Sequence, residues 1–308
     1  MGEYGGDTAL NRISPLTGVG VDGDSISNDK TSNPELDGGG VQVSIVGEFA
    51  RSWFASVAYT GFFVDEGSSI GHAGVDTDNV RPSLLDGSLA DDQGLNGSFE
   101  DGLVDFASDN ISIDQHIVDL TTGRKSMSSG ALNAFWNAGV RIANTDVARD
   151  VRYVNLDGGN DRDQADIAFR SDMWGMGPVI SGGVNVEVFN GLMFSGMASA
   201  SAVYADFDIE RRDAYFNQSQ NDTQIREVSI DQQAFVPMFD ASVGLSHDFG
   251  GFTFGVGYTV SATLGGARTA SVTGWDDVND NTTGYTITRD DIIVHGVYAR
   301  GSIEFSPE

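Results

Sequence analysis

The chain contains no cysteine, only 6 prolines and few basic residues among its 308 positions. Without cysteine there is no disulfide framework and no thiolate metal site. Six prolines beside 40 glycines do not describe a Pro-rich disordered chain. They suit many strands with tight bends and close backbone contacts. No window approaches the roughly 20 apolar residues of a transmembrane helix. The opening "MGEYGGDTAL" lacks a basic n-region and an apolar h-region, so it does not read as a signal peptide. Either the protein stays in the cytoplasm or a signal has been removed, and the second fits the pattern below. Lys and Arg total 17 against 45 Asp and Glu, a net charge of −28. Such a chain repels phosphate backbones, which excludes nucleic acid as a partner. No G-x-G-x-x-G opens a helix, and the glycines at 38–40 are not a phosphate loop.

What is present is a two-residue period. In "VQVSIVGEF", Val41, Val43, Ile45 and Phe49 alternate with Gln42, Ser44 and Glu48. From 252 to 264, Phe252, Phe254, Val256, Tyr258, Val260, Ala262 and Leu264 alternate with Thr253, Gly255, Gly257, Thr259, Ser261 and Thr263. The same alternation recurs over 52–63, 131–143, 173–189, 192–208, 235–249 and 290–305, while 113–124 is strand-like with mixed faces. This predicts nine half-buried strands and no amphipathic helix. Their connections alternate short and long. Short links fall at Ala50-Arg51, "KSMSSG", Asn190-Gly191 and Gly250-Gly251, of which Asn-Gly is a favoured hairpin turn. Long, Asp-rich loops are expected over 65–112, 144–172, 209–234 and 265–289, with Gly265-Gly266 as the exit into the last.

A soluble sandwich would put Lys, Glu and Arg on its wet face. Here the non-apolar faces are mostly Ser, Thr, Gly and Asn. The strands run about 11–16 residues, where globular strands average roughly 5–6. About 9–11 tilted residues cross a bilayer, and in lipid only a closed barrel satisfies the backbone of strands. The fold class predicted is all-β: an antiparallel, transmembrane, up-and-down β-barrel with short periplasmic turns and long acidic extracellular loops. Even strand numbers in bacterial barrels call for a further strand within residues 1–30, giving about ten strands, with eight or twelve as alternatives. Residues 1–40 form an N-terminal segment with that first strand and an acidic loop; residues 41–305 form the barrel, and the whole is one domain. Trp53, Tyr59, Trp136, Tyr204, Phe249, Phe252 and Phe305 are the candidates for aromatic girdles. Arg141, Glu187, Asp240, Arg300 and Glu304 are the candidates for lining the lumen.

The series "HIVDLTTGRKSMSSGALNAFWNAGVRIANTD", "SDMWGMGPVISGGVNVEVFNGLMFSGMASASAVYADFD" and "FVPMFDASVGLSHDF" resembles the pore-forming outer membrane proteins typified by the Legionella major outer membrane protein. The resemblance spans roughly 41–305 and rests most on "VDL", "AGVRIA", "GMGP" and "VP". It implies a porin-like barrel in the outer membrane of a Gram-negative bacterium. The chain departs from the pattern in its unclear first strand and in ending "EFSPE" rather than on an aromatic residue.

The expected function is a passive pore for small hydrophilic solutes or ions, with an acidic mouth that prefers cations. The alternative is a barrel that only anchors surface contacts and does not conduct. No enzyme is expected, because His72, His116, His247 and His295 show no spacing that pairs them with Asp. No resident cofactor is expected. Weak calcium binding in the loop at Asp157, Asp161, Asp163 and Asp166 is the one metal expectation, and its spacing departs from an EF-hand. The partners expected are outer membrane lipid and lipopolysaccharide, with divalent cations between the acidic loops and anionic headgroups, and further copies of the chain in a homo-oligomer.

Overall fold

A computed structural model describes residues 2–10, 20–21, 37–50, 52–71, 80–81, 106–129, 132–155, 163–189, 191–217, 222–249, 252–276 and 281–303. All regular structure among them is strand. The strands are β1 (Gly2–Leu10), β2 (Gly20–Val21), β3 (Asp37–Ala50), β4 (Trp53–Gly71), β5 (Val80–Arg81), β6 (Phe106–Ser129), β7 (Leu132–Asn155), β8 (Asp163–Phe189), β9 (Leu192–Asn217), β10 (Asp222–Asp248), β11 (Phe252–Asp276) and β12 (Asn281–Ile303). Nine of them form one antiparallel sheet in the order β3-β4-β6-β7-β8-β9-β10-β11-β12. The short β2 and β5 pair separately. β1 registers with β3, for example at Gly2↔Gln42, and with β12 at Ala9↔His295 and Leu10↔Val294.

The sheet curls strongly. Gln115 on β6 donates through Nε2 to Thr263 Oγ1 on β11 at 3.0 Å. These strands are five places apart in the order, about 24 Å along a flat sheet at ~4.8 Å per strand. Only a sheet bent back on itself brings them together.

Strands β6 to β12 are 23–27 residues long, which corrects the expectation of long acidic loops. β7 continues to Asn155 and β8 starts at Asp163, so most of 144–172 is strand. The same holds for 209–234 and 265–289. Of 65–112, β4 extends to Gly71 and β6 begins at Phe106, and most of the remainder lies outside the described residues. The physical reason is an inversion of polarity along each strand. In β9, Ala198, Ala202 and Tyr204 face outward with Ser199 and Ser201 inside. Higher up, Asp206, Asp208 and Glu210 face outward, and Ala205, Phe207 and Ile209 are buried inside. From Ser199 to Glu210 of β9 the period of two does not break; only the polarity of each face changes. Charged stretches that read as loops are the wetted outer walls of strands. The sheet therefore has two storeys: a lower one, near the short turns, apolar outside and polar inside, and an upper one polar outside, with apolar clusters and the buried ion pairs Arg149–Asp109 and Arg211–Asp213 inside.

Turn chemistry fixes the lower rim. Gly191 sits at φ 83°, a left-handed conformation that glycine adopts without steric cost. At the β3–β4 corner Ser52 takes φ 68°, and its carbonyl accepts a 2.8 Å hydrogen bond from the Lys125 backbone N–H.

Candidate functional site

The lower storey encloses a charged cluster built from five strands. Asp119 and Arg141 stand directly opposite each other in the β6–β7 register, both facing inward. Arg141 grips Asp119 bidentately, Nε to Oδ1 and Nη2 to Oδ2, each at 2.8 Å. Its Nη2 also lies 2.8 Å from Asp240 Oδ2 on β10. Asp240 accepts from Ser199 Oγ of β9 at 2.5 Å and from Ser261 Oγ of β11 at 2.6 Å. Arg141 is 3% exposed, and its two carboxylate partners about a fifth. One cation faces two anions, which leaves the cluster net negative. It borders a cavity of about 190 Å³ whose lining mixes Gln42, Asn185, Ser242, Thr259 and Tyr298 with Phe62, Ile117, Phe135 and Met197. Facing glycines of β10 and β11 serve Tyr298: a Cβ on Gly257 of β11 would lie 2.5 Å from its ring and one on Gly244 of β10 2.5 Å from its hydroxyl. Part of the small neutral face thus seats an aromatic ring, and the remainder leaves space.

The upper storey is filled. Ile117, Met173, Val203, Phe207, Ile209, Val236 and Met238 are buried in one cluster with Ala270. Phe62, Val64, Ile113 and Val147 are buried in a second with Ala267, Ile292 and Val294. Both clusters join opposite flanks of the curl. They do so because β11 leaves the wall. The β10–β11 register runs from Asp248↔Thr253 to Met238↔Thr263 and stops there. Above it β11 pairs with β12 alone, after a register shift between Thr263 and Ala267. Gly265 takes φ +65°, and a Cβ on Gly266 would sit 2.4 Å from Thr263 Cγ2. The upper β11–β12 hairpin then lies across the interior. The Arg268 guanidinium stacks 3.8 Å above the Phe207 ring, its side chain reaches Gln232, and its backbone N–H donates to Ser171 Oγ at 3.2 Å. Arg211 Nη1 donates to the Ala270 carbonyl at 3.1 Å.

On the outer face two aromatic levels bound the apolar wall. Trp53 and Trp136 meet edge to face at 6.3 Å on the lower level, with Phe189, Phe194 and Phe249 exposed nearby. Tyr204 and Phe235 meet at 5.1 Å on the upper level, with Phe63 and Trp174 exposed. Trp53 to Phe63, and Phe194 to Tyr204, are each ten residues apart. At ~3.3 Å per residue and a tilt near 40°, that is about 25 Å along the axis, the height of a membrane barrel's apolar band. Just above the upper level runs a row of carboxylates in direct cross-strand register: Asp114, Asp146, Asp172, Asp208 and Asp231 on β6 to β10. The outer-face arginines pair elsewhere, Arg152 with Asp166, Arg170 with Asp150 and Arg212 with Glu227. The Asp172 carboxyl, outside the apolar band, is consequently held above the usual carboxylate range, by desolvation first and then by Asp146, Asp208 and Glu210.

Of the lumen candidates, Arg141 and Asp240 meet in the cluster. Glu187 is exposed near the rim, where Oε1 accepts from the Gly191 N–H at 3.2 Å. Arg300 stands opposite Gly255 in the register, and Glu304 lies outside the described residues. Among the girdle candidates, Trp53, Trp136, Tyr204 and Phe249 are exposed. Tyr59 is half-buried and hydrogen-bonds His116 Nδ1 at 2.8 Å. Phe252 opens β11 opposite Ile303, and Phe305 lies outside the described residues. Asp157 and Asp161 also lie outside them; Asp163 begins β8 opposite Asn155, and Asp166 is engaged by Arg152. Among the described residues no cluster of His, Cys, Asp and Glu could hold a metal ion. His116 and His295 each bond a tyrosine hydroxyl, and His247 packs on Phe249. Sequence reasoning passed over Asp119, Trp174, Phe235 and the carboxylate row. Trp174 and Phe235 share the outward parity of their strands, a usable signal; the row exists only through register.

No curated protein matches the chain. Residues 76–305 match the family model described as Legionella pneumophila major outer membrane protein precursor. That span holds most of the antiparallel sheet, its inward charge cluster and its outward apolar band, so the chain belongs to the Legionella major outer membrane protein family and is a Gram-negative outer membrane protein.

Proposed function

We propose that the sheet closes through β1 into a ten-stranded barrel, and that its polar lower lumen is a narrow, porin-like path for small hydrophilic solutes, cations foremost. The observation that carries this reading is the cavity bordered by the charges of Arg141, Asp119 and Asp240, set behind an apolar outer wall of membrane height. Buried lumen charges of this kind are costly and mark ion paths in channels. The cluster's net negative charge and the chain's −28 favour cations. A barrel of this size packs much of its interior with side chains, so conductance is small. Outer membrane lipid and lipopolysaccharide are the partners of the outer face. Divalent cations, calcium included, belong between the carboxylate row and anionic headgroups. His72 lies outside the described residues, and the other three histidines, committed to tyrosine and phenylalanine, lend no support to an enzyme.

A second reading, a non-conducting barrel that anchors surface contacts, is favoured by one observation: the apolar clusters that fill the upper storey. Planar-bilayer recording on purified, refolded protein separates the two. The pore reading expects brief, cation-selective steps from a mostly closed protein, and long openings once 266–289 is replaced by a two-residue turn. Silence from both proteins sinks it.

A further inference from the structure

An antiparallel wall that stops halfway is unusual, because an open strand edge is a template for another strand, and barrels exist by abolishing edges. β10 pairs with β9 along its whole length, from Asp222↔Asn217 to His247↔Leu192. On its other side it pairs with β11 only as far as Met238↔Thr263. Over Val228–Pro237 that side has no strand partner among the described residues. The segment that would continue the pairing is the one folded across the interior.

We propose that the upper β11–β12 hairpin is a gate with two docking positions: the interior, where it closes the path, and the free edge of β10, where it completes the wall and opens it. This rests on the pore reading above. Continuing the β10–β11 register past Thr263 places Gly265 opposite Val236, Ala267 opposite Ala234, Thr269 opposite Gln232 and Ser271 opposite Ile230. The inward column of β11 then reads Thr259, Ser261, Thr263, Gly265, Ala267, Thr269, Ser271, Thr273. Small and hydroxyl residues hold every second position straight through the bulge. That phase suits the lining of an open lumen, whereas burial in the folded-in hairpin does not follow it: Gly266, Ala267 and Arg268 are buried in succession, and Ala270 beyond them.

The folded-in position also carries a burden. Arg268 is 2% exposed with Nε lacking a partner, and Asp290 is 0% exposed with both carboxylate oxygens lacking one. Buried polar groups without partners are destabilising, and the backbone edge of β10 goes without its ladder. Docking on β10 turns Arg268 to the outer face and satisfies that edge; it gives up the Phe207 stacking and the apolar clusters. Opposed gains of this kind make an element bistable. Gly265 and Gly266 are the hinge. Gly265 needs its positive φ only in the folded-in position, and either residue adopts an extended strand readily.

The cysteine-free chain permits a direct test with two engineered pairs. Ser171→Cys with Arg268→Cys joins the contact seen in the closed position. Ala234→Cys with Ala267→Cys joins residues that are opposite only in the docked position, within the ~5.5 Å Cα separation a disulfide bridges. Each protein is refolded in vesicles, oxidised mildly, assayed for cross-linking by mass spectrometry, and recorded in planar bilayers. We expect both pairs to cross-link, the first to abolish conductance, the second to hold it open, and reduction to reverse both. Gly265→Val, which disfavours the positive φ, speeds cross-linking of the second pair. Failure of the second pair to cross-link in protein whose first pair does so overturns the gate. Equal conductance from both locked forms overturns it as well. Cross-linking of both pairs with silence from both locked forms upholds the movement and overturns the pore instead.

Discussion

Phe207→Ala is expected to destabilise the protein by about 3–5 kcal/mol, the range for removing a fully buried aromatic ring. Phe207 is 2% exposed and faces inward on β9, within the cluster formed by Met173, Val203, Ile209 and Met238. Its ring is also the seat of the Arg268 guanidinium, 3.8 Å from the centroid. Truncation therefore opens a void between rigid strands, which relax little, and strips a buried cation of its aromatic face, itself worth about 2 kcal/mol when desolvated. The loss falls on the folded-in hairpin, so the variant is expected to leak current as well as to unfold earlier. Urea unfolding in phospholipid vesicles reads the first effect, and bilayer recording the second. Phe207→Leu is expected to recover most of the stability. A loss below about 1 kcal/mol would mean that the upper storey is not packed as described.

The second large effect is expected at Arg141. Arg141→Met removes the only cation bonded to Asp119 and Asp240 among the described residues and leaves two carboxylates facing one another. Breaking a buried ion pair from one side costs about 3–5 kcal/mol, because the remaining charge is left uncompensated. Asp119 and Asp240 are each about a fifth exposed, so the lower end of that range is expected here. The same variant converts a net charge of −1 at the constriction to −2, and its preference for cations over anions is expected to rise. Adding Asp119→Asn and Asp240→Asn should restore stability and remove the preference together. Reversal-potential measurements under a salt gradient give the selectivity. An unchanged reversal potential would place the conducting path elsewhere.

Much of the lower storey was legible in the sequence because a single physical rule governs it. A strand between lipid and a narrow lumen must alternate apolar residues with small polar ones, and 252–264 does so without exception. Arg141 and Asp240 stood out as charges at inward positions of such strands. Asp119, their missing partner, lay in the one strand whose faces read as mixed, and only the register sets it opposite Arg141. The upper storey was misread for a different reason. Glu210 and Arg212 carry the charge density of a loop, but they continue the strict period of two of Asp206 and Asp208, with buried Ala205, Phe207, Ile209 and Arg211 between. The hinge was visible as Gly265-Gly266 and was taken for the end of a strand, whereas the chain continues as strand to Asp276 in a new direction. Sequence period cannot distinguish a strand that leaves its sheet from one that stays. That depends on which side of β10 finds a partner.

The proposed barrel is open and polar in its lower storey and closed in its upper one. Side-resolved labelling of single cysteines tests it most directly. Ser242→Cys, on the cavity wall, is placed in protein refolded into vesicles and exposed to a small charged thiol reagent from one side at a time. Prompt modification is expected from the short-turn side and slow modification from the long-strand side, where the hairpin stands in the way. Equal rates from the two sides would contradict it.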